Sequence, residues 1–208
     1  MKILVCDDHK IVRDGLKQIL QQLGGSIIIK EAGDGNEAFQ ILKEEQFDIL
    51  LLDISLPGMS GLEVLQSVKS RWPSTYVLML SMMTQNQYAI LALKMGASGY
   101  LTKDTASEEL ILAIRRVSEG GKYISNTLAE SMALHFSKDT SRQKHEMLSG
   151  REFEIMVKLA NGKSLQEIAN ELFISDKTVS TYRTRIMEKM ELAKNTELTK
   201  YCIEYNLI

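Results

Sequence analysis

The first 118 residues alternate short apolar runs with amphipathic stretches, and few folds can satisfy that alternation. The runs near Lys2–Cys6, Ile27–Glu31, Ile49–Asp53, Tyr76–Ser81 and Gly99–Leu101 are the length of buried strands. The intervening stretches carry helix-start signals. Ser60 with Glu63, and Thr105 with Glu108, have the spacing of a capping box, in which a hydroxyl and a carboxylate satisfy amides orphaned at a helix start. Strands and helices in strict alternation, joined by right-handed crossovers, give an α/β doubly wound five-stranded parallel sheet with helices on both faces.

The rhythm stops at Glu119, and the 208 residues are better served by two cores than by one. His135–Glu146 holds a single large apolar residue, Phe136, as a linker would. The expected organisation is a first domain over 1–120, a linker over 121–146 with room for a short helix around Leu128–Leu134, and a second domain over 147–208. In the last of these, Ser149/Glu152 and Ser164/Glu167 repeat the capping-box spacing, Ser175 can cap a third helix and Asn195 a fourth, so this domain is small and all-α.

A net charge of −2 excludes a chain held on nucleic acid by bulk charge, so any such contact needs a local patch. Asp7 and Asp8 interrupt the apolar start, and no apolar run approaches membrane-spanning length, which points to the cytoplasm and no membrane partner. Cys6 and Cys202 lack paired spacing and read as reduced structural thiols. His9, His135 and His145 are dispersed, which argues against zinc.

In a doubly wound sheet, chemistry gathers at the carboxyl ends of the strands. Strand one runs into Asp7-Asp8, strand three ends on Asp53, strand four on Ser81, and Lys103 lies two residues past strand five. Any one of these has an ordinary reading as a turn former, a helix cap or a solvated charge. Their occurrence together at four strand ends does not. Three carboxylates in one pocket need a compensating cation, and hard oxygen ligands suit Mg²⁺. Asp53, ending a central strand, is the best placed to attack phosphorus, with Lys103 and Ser81 holding the phosphoryl oxygens.

With Val5-Cys6-Asp7-Asp8-His9, the run Leu51 to Gly61 (Leu-Leu-Asp-Ile-Ser-Leu-Pro-Gly-Met-Ser-Gly), Ser81, and Gly99-Tyr100-Leu101-Thr102-Lys103, the first domain resembles the receiver domain of two-component response regulators. The resemblance implies Mg²⁺ bound directly by Asp8, Asp53 and the backbone carbonyl of Ser55, with Asp7 assisting through water. It also implies phosphoryl transfer to Asp53 from a histidine kinase, a phosphate contact from Lys103, and a switch in which Ser81 is drawn to the phosphoryl group while Tyr100 turns inward. Met82 departs from the small residue many receivers have there and is expected to restrict access to the phosphate.

In the second domain Ser164 opens a short helix with Leu165, Ile168, Ala169 and Leu172 on one face, Phe173-Ile174 turns the chain, and Ser175 opens the next helix. That is helix-turn-helix spacing. Val179, Tyr182, Ile186 and Met190 of the second helix should face the core. The opposite side presents Lys177, Ser180, Thr181, Thr184 and Glu188, with Arg183 and Arg185 on its shoulders. Between Lys177 and Lys189 four cations stand against one anion, which is the local patch that phosphate contact requires. Hydroxyls on the outer face can reach base edges in double-stranded DNA.

Leu148 to Glu152, Ala160 to Ser164, Glu167-Ile168-Ala169, Ile174 to Val179, Ile186 to Met190 and Asn206-Leu207-Ile208 make residues 148–208 similar to the LuxR-type helix-turn-helix of NarL/FixJ response regulators. The resemblance implies base reading at Ser180, Thr181 and Thr184. It also implies pairing of two phosphorylated copies through the last helix, and release of the DNA-binding domain on phosphorylation. Ser180 and Tyr182 depart from the Lys and His frequent there, so operator sequences cannot be transferred. Two other readings compete: a receiver acting only through protein partners, against which the basic patch stands, and a Mg²⁺-dependent phosphohydrolase. Hydrolases of that kind want a carboxylate two residues beyond the nucleophile, and Ser55 stands there, so the chain is expected not to be an enzyme beyond self-phosphorylation and slow dephosphorylation.

Overall fold

In the computed structural model, residues 1–82, 86–104, 107–125, 128–130, 143–205 and 207–208 are described, with the backbone alone at 86 and 87. Every expected strand forms. The order is β1 (Lys2–Cys6), α1 (Lys10–Gln21), β2 (Ile28–Ala32), α2 (Gly35–Glu44), β3 (Ile49–Asp53), α3 (Gly61–Arg71), β4 (Tyr76–Ser81), α4 (Asn86–Lys94), β5 (Gly99–Thr102) and α5 (Ser107–Ser118). The strands make one parallel sheet in the order β2-β1-β3-β4-β5. β2 starts one residue later than its apolar run because the ladder opens with Lys2 against Ile28, and β5 runs one residue further because Thr102 pairs with Ser81.

The central strands are continuously apolar because both faces are covered. Ile3, Val5, Ile49, Leu51, Leu78 and Leu80 pack with Leu16 and Leu20 of α1 and with Leu110, Ala113, Ile114 and Val117 of α5. The alternate residues, Leu4, Cys6, Leu50, Leu52, Val77 and Met79, are equally buried and by the strand's period of two face the other layer. Ser60 and Glu63 form their capping box at the start of α3. The Thr105–Glu108 box lies outside the described residues because Thr105 does.

The start of the stretch read as linker is tied to the sheet. Tyr123 packs into the α1–α5 core, its backbone N–H donates to Ser98 O at 2.9 Å, and its hydroxyl donates to Glu109 Oε1 at 2.8 Å. Residues 128–130 are helical, and the Ala129 amide donates to Ser125 O. Residues 131–142, on which the remainder of the expected helix and part of the expected linker fall, lie outside the described residues.

Contacts divide the chain into Met1–Ser137 and Lys138–Ile208. The second unit begins with a 3-10 turn at Lys144–Met147, followed by α6 (Gly150–Ala160), α7 (Leu165–Glu171), α8 (Asp176–Met190) and α9 (Asn195–Glu204). Both expected capping boxes form, and Ser175 caps α8 by accepting from the Thr178 amide. Asn195 does not cap α9. It is the first helical residue, and Glu197 Oε2 instead accepts from the Ala193 and Lys194 amides at 2.8 and 3.0 Å. Val179, Ile186 and Met190 are buried as expected, with Met187 beside them, while Tyr182 is only half-buried. Arg151, 1% exposed, bonds Glu154 at 2.7 Å and donates to the Leu172 carbonyl at 3.1 Å, fixing the end of α7 at the turn into α8.

Candidate functional sites: an acidic pocket and a recognition helix

Sheet order reverses between β1 and β3, whose connections run to opposite sides, and in a doubly wound sheet ligands bind at the carboxyl ends of such a strand pair. Asp7 and Asp8 follow β1 there and Asp53 ends β3. Asp7 and Asp53 are buried, and Lys103 Nζ bridges them at 2.7 Å from Asp7 Oδ2 and 2.8 Å from Asp53 Oδ2. The Ser55 amide donates to Asp53 Oδ1 at 3.2 Å and the His9 amide to Asp7 Oδ1 at 2.9 Å. Both aspartates are therefore held by short chain-local bonds as well as by the lysine.

Burial pushes the Asp53 carboxyl up to about 6, with the Asp7 charge adding to it and Lys103 opposing it. Lys103 is pulled down by burial, but the two carboxylates outweigh this and hold its ammonium above the ordinary lysine range. One ammonium against three carboxylates leaves the pocket short of positive charge. One ligand atom each from Asp7, Asp8, His9 and Asp53 lies within 4.8 Å of the others. An oxygen-rich set in excess negative charge fits Mg²⁺.

His9 is the residue that sequence spacing treats as isolated. Its Nδ1 stands 2.7 Å from Asp8 Oδ1 and 3.5 Å from Asp7 Oδ1. Its signals in the sequence are adjacency to Asp8 and its place at the end of the Val5–His9 run. Gly61 is the other: a Cβ on it would lie 1.9 Å from the Asp53 carbonyl oxygen, and its amide donates to Ile54 O at 2.8 Å, so only glycine lets the start of α3 approach the chain at Asp53. Ser81 is buried at the end of β4, and the Tyr100 hydroxyl, buried beside it, shares a hydrogen bond with it. Burial pushes the Tyr100 phenol up to about 12, so it stays protonated as a donor. Met82, next to Ser81, is 76% exposed. The Cys6 and Cys202 thiols are buried and raised by that burial, hence neutral.

In the second unit, α8 presents Lys177, Ser180, Thr181, Thr184, Arg185, Glu188 and Lys189 to solvent, with Arg183 half-buried. Thr181 and Thr184 are exposed, with Thr181 Oγ1 donating to Lys177 O at 2.9 Å and Thr184 Oγ1 to Ser180 O at 3.2 Å, so both hydroxyl protons are engaged by the helix and the oxygens keep only acceptor capacity. Lys189 is already paired, 2.6 Å from the buried carboxylate of Glu152. Lys158 and Lys163 likewise share Glu171. Among the described residues no carboxylate pairs with Lys177, Arg183 or Arg185, so three cations of α8 remain open to phosphate.

The comparisons with known proteins cover both units. Residues 3–115 match the response regulator receiver domain family, and residues 146–202 match the bacterial regulatory proteins of the luxR family. The oxygen regulatory protein NreC of Staphylococcus epidermidis is 37% identical over 216 residues, spanning 100% of this chain and 99% of that protein. Among solved structures, a LuxR-family two-component response regulator from Aurantimonas sp. is 31% identical, covering 66% of this chain and 98% of its own, with a TM-score of 0.62. RcsB from Salmonella enterica serovar Typhimurium, solved on the promoter rprA in the presence of a phosphomimetic, is 25% identical, covering 97% of this chain and 98% of its own, with a TM-score of 0.64.

Proposed function

The chain belongs to the two-component response regulators with a LuxR-type output domain, a family of phosphorylation-dependent transcription regulators, and from that premise we propose that Asp53 is its phosphoacceptor and α8 its DNA-reading helix. The observation that carries this reading is the meeting of Asp7, Asp8, Asp53 and Lys103 at the carboxyl ends of the strands.

The chemistry follows from those positions. An ionised oxygen of Asp53 attacks phosphorus in the phosphohistidine of a partner kinase, the P–N bond breaks, and its electron pair leaves with the imidazole, which picks up a proton. The product is an acyl phosphate. Lys103, already on Asp53 Oδ2, transfers one contact to a phosphoryl oxygen while keeping Asp7. Asp7, Asp8, Asp53 and the Ser55 carbonyl would hold Mg²⁺, which when bound neutralises charge on the transferring oxygens. Ser81 supplies a hydroxyl to the same oxygens and Tyr100 follows it. Ser55 stands where a phosphohydrolase would carry a carboxylate two residues beyond the nucleophile, which supports slow dephosphorylation rather than hydrolytic turnover.

In α8, Lys177, Arg183 and Arg185 meet phosphates, and Ser180, Thr181 and Thr184 face base edges in promoter DNA. Lys189 contributes less than its position suggests, because Glu152 holds it. The phosphorylated protein acts as a homodimer through α9, reading a two-fold site. No helix among the described residues is long and apolar enough to cross a membrane, and a transcription regulator works in the cytoplasm.

The test is intact mass after incubation with Mg²⁺ and a small acyl-phosphate donor, for the natural protein and Asp53→Asn. A single phosphoryl adduct on the natural protein alone is expected. An adduct on both would move the acceptor to another residue.

A further inference from the structure

The sequence suggests Asn195 as the cap of the last helix, but α9 starts at Asn195 itself, and Glu197 Oε2 accepts from the Ala193 and Lys194 amides that precede it. Freed from capping, the Asn195 side chain reaches across to α8, where its Oδ1 accepts from Arg183 Nε at 2.9 Å. We propose that Asn195 is a positioning residue for DNA binding: its amide oxygen holds the Arg183 guanidinium through Nε and turns the two terminal nitrogens of the fork toward a DNA phosphate. This inference rests on the DNA-binding reading of α8.

Three observations carry it. Nε is the one guanidinium nitrogen that can be held while both terminal NH₂ groups stay available for a bidentate contact with phosphate oxygens. The holder is neutral. The unit's other structural cations answer to carboxylates, as Lys189 does to Glu152, Lys163 to Glu171 and Arg151 to Glu154, whereas Arg183 is held without losing its charge. Arg183 is also half-buried at the shoulder of α8 while Ser180, Thr181 and Thr184 face outward, which is the placement of a backbone contact rather than a base contact. A long side chain fixed before binding loses less rotamer freedom on the DNA.

The experiment measures binding of the full chain, with Mg²⁺ and an acyl-phosphate donor, to a mixed-sequence DNA duplex across a salt series. Asn195→Ala should weaken binding by about threefold to tenfold, the worth of one orienting hydrogen bond, while the salt slope stays nearly that of the natural protein. In an Arg183→Ala background the same change should do nothing more, because Asn195 acts through Arg183. Asn195→Asp keeps the acceptor and so should fold normally, but it neutralises the arginine and should lower the salt slope by about one. Equal weakening by Asn195→Ala with and without Arg183, or an unchanged affinity, would overturn the proposal, as would a salt slope untouched by Asn195→Asp. A natural protein that binds no duplex would sink the DNA-binding reading itself, and Arg183→Ala, Lys177→Ala and the natural protein would then be indistinguishable.

Discussion

Asp53 must be ionised to attack phosphorus, yet burial holds its carboxyl near 6 instead of its ordinary range. The sign is fixed: below that value the metal-free pocket carries a protonated, non-nucleophilic Asp53. With limiting Mg²⁺, adduct formation should fall as pH drops through about 6, and saturating Mg²⁺ should move the fall to lower pH, because a cation favours the carboxylate. A rate that stays level down to about pH 5 at limiting Mg²⁺ would show the carboxyl to be unperturbed. Gly61 makes a second residue-level case. Gly61→Ala puts a methyl into the Asp53 carbonyl, and relief of that overlap must displace Asp53; we expect about 1–3 kcal/mol of lost stability in thermal melts together with slower phosphorylation. The pocket's carboxylates and Lys103 were legible because each sits at a fixed offset from a strand end, and the sheet order then determines who meets whom. His9 and Gly61 were not, since one depends on a side-chain rotamer and the other on how closely two chain segments pass.

At the scale of elements, the helices of the second unit were legible wherever a hydroxyl preceded a carboxylate by three residues, because capping is decided within one turn. Asn195 fails that logic: Glu197, three residues past Lys194, lets the helix start one residue earlier with Lys194 at the cap, and the sequence does not say which start wins. Ion pairing between elements is less legible still. Lys189 belongs to the basic run of α8 by sequence, but its ammonium lies on Glu152 at the start of α6, which is 3% exposed. Burial works against that carboxylate, yet the Lys189 bond and the Ser149 amide outweigh it and hold it below the ordinary glutamate range. A depressed carboxyl contributes stability above its unfolded pKa and loses it as pH falls through the folded value. Lys189→Ala should therefore destabilise this unit by about 1 kcal/mol at neutral pH, the lysine being partly exposed, with the difference vanishing in acid. The same variant should change the salt slope of DNA binding less than Lys177→Ala, whose ammonium has no carboxylate partner among the described residues. Equal slopes would return Lys189 to the DNA face.

At the scale of the whole molecule, the proposed function requires that phosphate on Asp53 alter binding at α8 through a change that both sites feel. Phosphorylation places roughly −1.5 to −2 charges on the phosphoryl group and consumes the carboxylate's −1, so a pocket whose only described ammonium is Lys103 gains about one negative charge. The Ser81 hydroxyl, bonded to Tyr100, is the neutral group beside it that can reorient, and Tyr100 lies on β5, next to α5 in the chain. Coupling of this kind is reciprocal: if phosphate on Asp53 raises DNA affinity by some factor, DNA must raise the affinity for a non-covalent phosphoryl analogue by the same factor. Tyr100→Phe deletes the hydroxyl that Ser81 engages while leaving Asp53, Lys103 and the carboxylates in place. We expect it to keep analogue binding in the free protein within about twofold, to keep unphosphorylated DNA binding likewise, and to shrink the coupling factor measured from either side. Asp53→Ala should abolish the donor's effect on DNA binding altogether. If Tyr100→Phe leaves the coupling factor intact while Asp53→Ala removes it, the signal leaves the pocket by another route. If neither variant changes DNA binding in the presence of donor, the receiver chemistry stands, but it does not control the helix that reads DNA.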